Sequence, residues 1–157
     1  YYKMQSAQKS VFNSNTVNEL ISRIKNLTSN SQPLWGKMNV AQMLAHLNVS
    51  YEMIFTNKHP KPKGLMKFIL KFFIKKIVTG DKPYKKSSQT APAFIITDAK
   101  DFIKEQETLI AYINQVKDLG ENHFEGKESH SFGKLNVNEW NNMLYKHLDH
   151  HLTQFGV

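Results

Sequence analysis

GKLNVNEWNNMLYKHLDHHLTQFG, residues 133–156, is the stretch that decides the fold of this chain. Its beginning, GKLNVNEW, aligns residue for residue with GKMNVAQM at residues 36–43. Both copies contain a capping box, in which an Asn and a Gln or Glu three residues later satisfy each other's free backbone amides. The pairs are Asn39 with Gln42 and Asn136 with Glu139. The repeat therefore predicts that two long helices begin by the same device.

Apolar residues at helical spacing follow both capping boxes and indicate how far each helix runs. The first helix is predicted to end near Phe55 and the second near Gln154. The stripes consist of Val40, Met43, Leu44, Leu47, Tyr51 and Ile54 in the first helix, and of Val137, Trp140, Leu144, Leu148 and Phe155 in the second. Each helix thus offers one apolar face to a shared core.

Two further helices are predicted from their end signals. One begins at Thr16, which can form a capping box with Glu19, and ends before the turn formers of residues 28–33. The other begins at Asp98, whose carboxylate can cap it, and ends at Gly120. Together with the two capped helices of the repeat, they make four long helices.

The architecture expected from these elements is an all-α four-helix bundle. No convincing strand is evident, and residues 120–133 are predicted to form a polar loop. The chain is long enough to bury a core without disulfides or a structural metal, so we expect one domain over residues 1–157. Residues 1–15 show no clear period and are expected to be irregular.

A lysine-rich segment, residues 58–86, lies between the second and third of these helices; it holds ten lysines and one acid, Asp81. Within it, LMKFILKFFIKKIV predicts a short amphipathic helix over residues 64–78, here called the basic helix. Its lysines include one stripe at helical spacing, formed by Lys67, Lys71 and Lys75. Three roles are open: it covers the bundle with the lysines in solvent, it lies against an anionic membrane surface, or it forms a homodimer contact.

The composition excludes several functional classes. The chain has no Cys, so any metal must be bound through His, Asp, Glu or solvent. The net charge of +8 suits an anionic partner, but no nucleic acid is expected because Arg23 is the only arginine and no DNA-reading motif is present. No transmembrane segment and no signal peptide is evident, so we expect a cytoplasmic protein.

Three of the seven histidines lie in YKHLDHH, residues 145–151. At ~100° per residue, His151 and His147 point about 40° and about 80° from the centre of the apolar stripe, on the same side, whereas His150 points about 140° away, toward solvent. On the first long helix, His46 points about 120° from the stripe centre, a flank position rotated in the same sense.

An i, i+4 histidine pair can share one metal ion, and a third His from a facing helix would complete a three-nitrogen site with an open position. The alternative interpretation, without a metal, is that histidines near a helix C-terminus complement its dipole at a polar surface. Three residues near this site could orient a ligand imidazole through its second nitrogen: Gln42, Ser50 and Asp149.

The histidine pattern resembles a known superfamily. MLAHL in an early helix and H-x-x-H-H-x-x-Q in the last, with His147, His150, His151 and Gln154, are similar to the DinB-like four-helix-bundle metalloproteins. PLWGKMNVAQMLAHL and FGKLNVNEWNNMLYKHLDHHLTQFG, with KPYKKSSQTAPAF between them, resemble more closely its uncharacterised branch, the domain of unknown function 1569. The similarity extends from about Val17 to Gly156.

This resemblance implies a divalent metal ion held by His46, His147 and His151. All-nitrogen ligation with open positions suits Zn, Ni, Fe or Co. The resemblance also implies a metal-dependent thiol S-transferase or hydrolase acting on a small-molecule thiol or electrophile. The sequence departs from such relatives at Leu152–Thr153, where an Arg-Gly pair is common. The alternative is a non-catalytic helical bundle that binds an anionic membrane surface or partner through the basic helix.

Overall fold

The computed structural model describes residues 9–88 and 90–157, and most of them are helical. In chain order the elements are α1 (Ser14–Lys25), α2 (Val40–Phe55), α3 (Gly64–Ile69), α4 (Lys75–Thr79), α5 (Phe102–Leu119), α6 (Glu121–Phe124), β1 (Lys127–Ser129), β2 (Gly133–Leu135) and α7 (Val137–Gln154). The four long helices are α1, α2, α5 and α7, and both α1 and α2 pack against α5 and α7. The expected all-α bundle is confirmed.

The repeated capping box is present at both predicted positions. At α2, Gln42 N donates to Asn39 Oδ1 at 2.9 Å, and Asn39 N donates to Gln42 Oε1 at 3.0 Å. At α7 the corresponding bonds between Asn136 and Glu139 are 2.9 and 3.2 Å. The two helices therefore begin in the same way, and their first turns keep no free amide at these positions.

The helix α1 begins earlier than the sequence predicts. Its N-cap is Asn13, whose side chain accepts hydrogen bonds from the backbone amides of Asn15 and Thr16. The predicted capping box at Thr16 is wrong, because Thr16 already lies within the first turn. Of the segment predicted to be irregular, residues 1–8 lie outside the described residues.

The helix α5 begins later than predicted. Asp101 caps it by accepting from the Lys104 amide at 2.9 Å, whereas Asp98, the predicted cap, pairs with Lys100. The predicted end is confirmed, since the helix stops at Leu119 and Gly120 follows with a φ of +78°. Gly120 suits this conformation because it has no Cβ.

A small hairpin lies where the sequence predicts only a polar loop. Strands β1 and β2 pair antiparallel, with Lys127 opposite Leu135 and Ser129 opposite Gly133. The Ser129 hydroxyl donates to the Gly133 carbonyl at 2.7 Å, and Leu135 is buried in the core. Strands this short carry no recognisable alternation, so the sequence gives no signal for them.

The core lies between the four long helices and contains both predicted apolar stripes. The stripe residues are buried except for Ile54 and Val137, which are partly exposed. The largest fully buried side chains are Trp140, Phe124, Leu20, Ile24, Met43, Leu44, Leu47, Leu109, Ile113, Leu135, Leu144 and Leu148. Burial of each contributes roughly 1.5–3 kcal/mol before the entropy cost of ordering the chain.

The basic helix forms, but it does not cover the bundle with its apolar side. It consists of α3, a π-helical turn at Leu70–Ile74 and α4, and no residue of Gly64–Ile74 is buried. Lys75 turns inward and pairs with Glu139 of α7 at 3.3 Å. The lysine stripe is therefore not wholly in solvent. Over residues 9–88 and 90–157, no helix combines the length and apolar character that a bilayer span requires.

Candidate metal centre

Three histidines from two helices meet between α2 and α7. His46 lies near the middle of α2, and His147 and His151 lie one turn apart in the C-terminal half of α7. The Nε2 atoms of His46 and His147 are 2.9 Å apart, and one ring nitrogen of each residue lies within 4.8 Å of the other two. The fold thus brings all three sequence-predicted ligands together, and they could hold a metal ion.

Burial keeps these imidazoles neutral. His46 and His151 expose only 4% and 8% of their surface, so the flank position predicted for His46 is wrong. Loss of solvent lowers the pKa of His46 and that of His147, and it lowers the pKa of His151 to about 3. Repulsion between the neighbouring rings acts in the same direction. At neutral pH each ring therefore keeps one unprotonated nitrogen, the form that binds a metal.

Two of the rings are held by acceptors that fix their tautomer. Nδ1–H of His46 donates to the Phe94 carbonyl at 2.8 Å, and Nδ1–H of His151 donates to Gln154 Oε1 at 2.7 Å. The Gln154 amide is itself oriented, since its Nε2 donates to the Trp35 carbonyl at 2.7 Å. A neutral ring protonated on Nδ1 carries its lone pair on Nε2. The lone pairs of His46 and His151 therefore lie on Nε2, and that of His46 is directed at His147 Nε2.

The third ring, His147, has a partner that can serve either tautomer. The Ser50 hydroxyl lies 3.0 Å from His147 Nδ1, and a hydroxyl can donate or accept. Because His46 Nε2 carries a lone pair, His147 Nε2–H donates to it, and the Ser50 hydroxyl donates to His147 Nδ1. Transfer of this proton to Nδ1 frees the third lone pair, with Ser50 as acceptor. Ser50 thus lets the third nitrogen become available without burying a charge.

One side of the cluster is covered by the turn at Pro92–Phe94. The Phe94 ring packs edge-on against His46 and His147, with ring centroids 5.3 and 5.7 Å apart. The same residue supplies the carbonyl that orients His46. Phe94 therefore both shields the rings from water and fixes one of them.

Of the three orienting groups that the sequence offers, Ser50 alone contacts a clustered ring among the described residues. Gln42 closes the capping box of α2, and Asp149 pairs with Arg23 at 2.8 Å. Two groups escaped prediction. Gln154 lies three residues after His151 on the same helix, and this spacing could have identified it as a hydrogen-bond partner of the His151 ring. Phe94 orients His46 through its backbone carbonyl, which has no sequence signal.

As the sequence predicts, His150 lies outside the histidine cluster. Its ring, however, does not face open solvent. Its ring lies 5.8 Å from Trp35 and 5.8 Å from Tyr84, centroid to centroid, and 4.9 Å from His151. His150, Trp35 and Tyr84 line a cleft of about 430 Å³ beside α7, together with Lys9, Asp81, Pro83, Lys86, Asn141, Asn142, Tyr145, Lys146, Asp149 and Thr153. His150 is a wall of this cleft.

The donor set decides which ions fit. Three imidazole nitrogens without a carboxylate suit borderline transition ions such as Zn, Ni, Fe or Co, whereas Mg and Ca require oxygen ligands. Within the part of the chain that the structure describes, no other group of His, Asp or Glu side chains has this closeness. The residues present therefore fit one transition-metal ion.

A family model covers the chain that carries this centre. The model is described as Protein of unknown function (DUF1569), and it matches residues 6–156. The chain belongs to the DUF1569 family. The resemblance to this family is thus confirmed, and all three clustered histidines lie within the matched range. No curated protein and no solved structure matches this DUF1569 protein.

Proposed function

We propose that this DUF1569 protein is a divalent-metal-binding member of the DinB-like superfamily, with His46, His147 and His151 as its metal ligands. The observation that carries the proposal is the orientation of the three rings. The Nε2 atoms of His46 and His147 lie 2.9 Å apart, one ring nitrogen of His151 lies within 4.8 Å of a ring nitrogen of each, and each Nδ1 has a hydrogen-bond partner. Each ring is thereby held in an orientation that a shared metal ion can use, and the proton between His46 and His147 can move to His147 Nδ1, where Ser50 accepts it.

The chemistry follows from the ligand number. A transition ion on three protein nitrogens keeps open positions and supplies Lewis acidity toward a water, a thiol or an electrophile. The surrounding residues of the chain orient the ligands and limit the access of water. Phe94, Ser50 and Gln154 hold the rings in the ligating orientation, and the Phe94 side chain excludes water from one side.

The reaction class that we propose is thiol S-transfer or hydrolysis on a small-molecule thiol or electrophile. Support comes from the likeness to DinB-like proteins and from the cleft lined by His150, whose ring lies 4.9 Å from that of His151. Lys86 lies 4.5 Å from the Trp35 ring and Lys146 lies 4.6 Å from the Tyr84 ring, so cations and aromatic surfaces stand side by side. This combination suits an anionic ligand with an apolar part. A cytoplasmic location, which we also propose, would supply reduced thiols.

The first experiment is metal analysis of purified, untagged protein after reloading with Zn, Ni, Fe or Co in turn. We expect about one ion per chain. His46→Ala and His147→Ala should abolish binding, because two imidazoles from one site bind far more weakly than three. His150→Ala is the matched control, since it removes a histidine of the same helix that lies outside the cluster, and it should retain the ion.

The second experiment separates catalysis from metal binding. Metal-loaded protein is assayed with a low-molecular-weight thiol and an aryl halide electrophile, with the His147→Ala variant alongside. Turnover by the parent and none by the variant would support the transferase. A thioester offered to the same protein tests hydrolysis. A protein that binds the ion but turns over neither the thiol with the aryl halide nor the thioester would contradict the proposed reaction and leave the metal centre in place.

A further inference from the structure

The basic helix presents an apolar surface to the outside of the molecule. Ten large apolar side chains stand out as exposed in the described residues, and six of them lie on this helix. They are Leu65, Met66, Phe68, Phe72, Phe73 and Ile77, here called the outer face, and their exposed fractions run from 51% to 74%. Phe68 packs on Phe72 with ring centroids 4.5 Å apart. The outer face is therefore a continuous patch, which marks an interaction surface.

The outward orientation is held by polar contacts at the C-terminal end of the basic helix. Lys75 pairs with Glu139, and Asn142 Nδ2 donates to the Thr79 carbonyl at 3.0 Å. Lys146 Nζ donates to the Ile77 carbonyl at 2.8 Å. Three residues of α7 thus fasten α4, so the outer face cannot simply roll inward to bury its aromatic rings.

The charges around the outer face select its partner. Lys67, Lys71 and Lys76 are exposed on the same helix as the outer face, and the lysine-rich segment that contains them holds one acid, Asp81. A second copy of the chain packed on this face would bring lysines against lysines, which costs free energy. An anionic lipid surface offers phosphates to the lysines and an apolar interior to the rings.

We propose that the outer face docks this protein on a membrane surface rich in anionic lipid. The helix lies in the plane of the interface, with the aromatic and aliphatic side chains at the boundary between headgroups and acyl chains and the lysine heads among the phosphates. This interaction is separate from the proposed metal chemistry, since none of the clustered histidines lies on the basic helix.

The test is flotation of the full chain with vesicles of 30% phosphatidylglycerol in phosphatidylcholine, compared with vesicles of phosphatidylcholine alone, at about 0.1 M salt. We expect binding to the anionic vesicles only, and weaker binding as salt increases. Phe72→Ser with Phe73→Ser should lower binding at least tenfold, and Lys67→Glu with Lys71→Glu should do the same. These side chains are exposed, so the variants should fold normally.

Matched controls change equally exposed residues elsewhere. Ile95→Ser with Ile103→Ser removes exposed apolar surface, and Lys25→Glu with Lys104→Glu reverses two exposed lysines, both away from the outer face. These controls should bind as the parent does. The proposal is overturned if the parent does not float with anionic vesicles, if the controls lose binding as strongly as the outer-face variants, or if sedimentation shows a dimer that Phe72→Ser with Phe73→Ser dissociates in place of vesicle binding.

Discussion

The Nε2 atoms of His46 and His147 lie 2.9 Å apart although the two residues are 101 positions apart in the chain. The contact follows from the repeated capping box. Counted from the capping asparagines, His46 and His147 differ by four positions, about one helical turn, so the two side chains leave their helices in similar directions. Two helices that begin alike and pack together thus bring two imidazoles into contact.

Gln154→Ala should weaken metal binding by about 10- to 100-fold, because His151 loses the acceptor that holds its Nδ1–H. A competition titration against a chromophoric chelator measures this. Thr153→Ala, which changes the neighbouring exposed residue, is the control and should bind as the parent does. Equal affinity in all three proteins would show that Gln154 does not orient a ligand.

Gly36→Ala should both destabilise the protein and weaken its affinity for the metal ion. Gly36 has a φ of +85°, and a Cβ there would lie 2.6 Å from Gln154 Nε2. Gln154 has little freedom to move away, because it bonds both His151 and the Trp35 carbonyl. We expect the free energy of unfolding in urea to fall by about 1–3 kcal/mol.

Gly126→Ala provides the comparison for Gly36→Ala, since it has a φ of +71° and open space around the added Cβ. This variant has the strain of a positive φ at an alanine, but its added Cβ collides with no neighbouring atom. The Gly36 variant should therefore be the less stable of the two and the only one with weakened metal affinity. Identical behaviour of both variants would remove the link between Gly36 and Gln154.

The metal-free protein should lose stability as the pH falls below about 6.5. The pKa values of His46, His147 and His151 are all lowered in the fold, so in this window the unfolded chain binds protons that the native state does not. Each histidine adds a slope of up to about 1.4 kcal/mol per pH unit. Urea unfolding between pH 5 and 7.5 measures the slope. His151→Gln should reduce it, and an unchanged slope would contradict burial of a neutral His151.

Much of the fold could be predicted because its signals are local. The capping boxes at Asn39 and Asn136 are complete within four residues, and the apolar stripes follow them directly. The hairpin at residues 127–135 and the π turn of the basic helix could not be predicted, since the strands are too short to show alternation and the turn has no sequence signal of its own. The capping box predicted at Thr16 was wrong because a Thr followed three residues later by a Glu also occurs inside helices.

The sequence predicted the three histidines of the candidate centre, but it predicted fewer of the groups that surround them. The i, i+4 spacing separates His147 and His151 from His150 on a helical wheel, but the burial of His46 depends on the turn at Pro92–Phe94, which has no periodic pattern. For the same reason the Phe94 carbonyl could not be foreseen. Side-chain patterns do not report where a distant backbone carbonyl will lie.

Asn136→Ala should lower the free energy of unfolding by about 1 kcal/mol, because the Glu139 amide loses its acceptor, the Asn136 side-chain oxygen. Asn39→Ala should have a similar cost, since the two boxes have nearly the same geometry. Urea denaturation of each variant measures the loss. A cost at only one of the two sites would show that the repeated boxes are not energetically equivalent.

The central claim is that three ring nitrogens hold one ion, and anomalous diffraction from crystals grown with Zn²⁺ tests it most directly. The account predicts one anomalous peak about 2.0–2.1 Å from Nε2 of His46, His147 and His151, with Nδ1 of each ring still bonded to Phe94, Ser50 and Gln154. A folded protein with no peak between these rings at saturating Zn²⁺, or with the ion bound elsewhere, would contradict it.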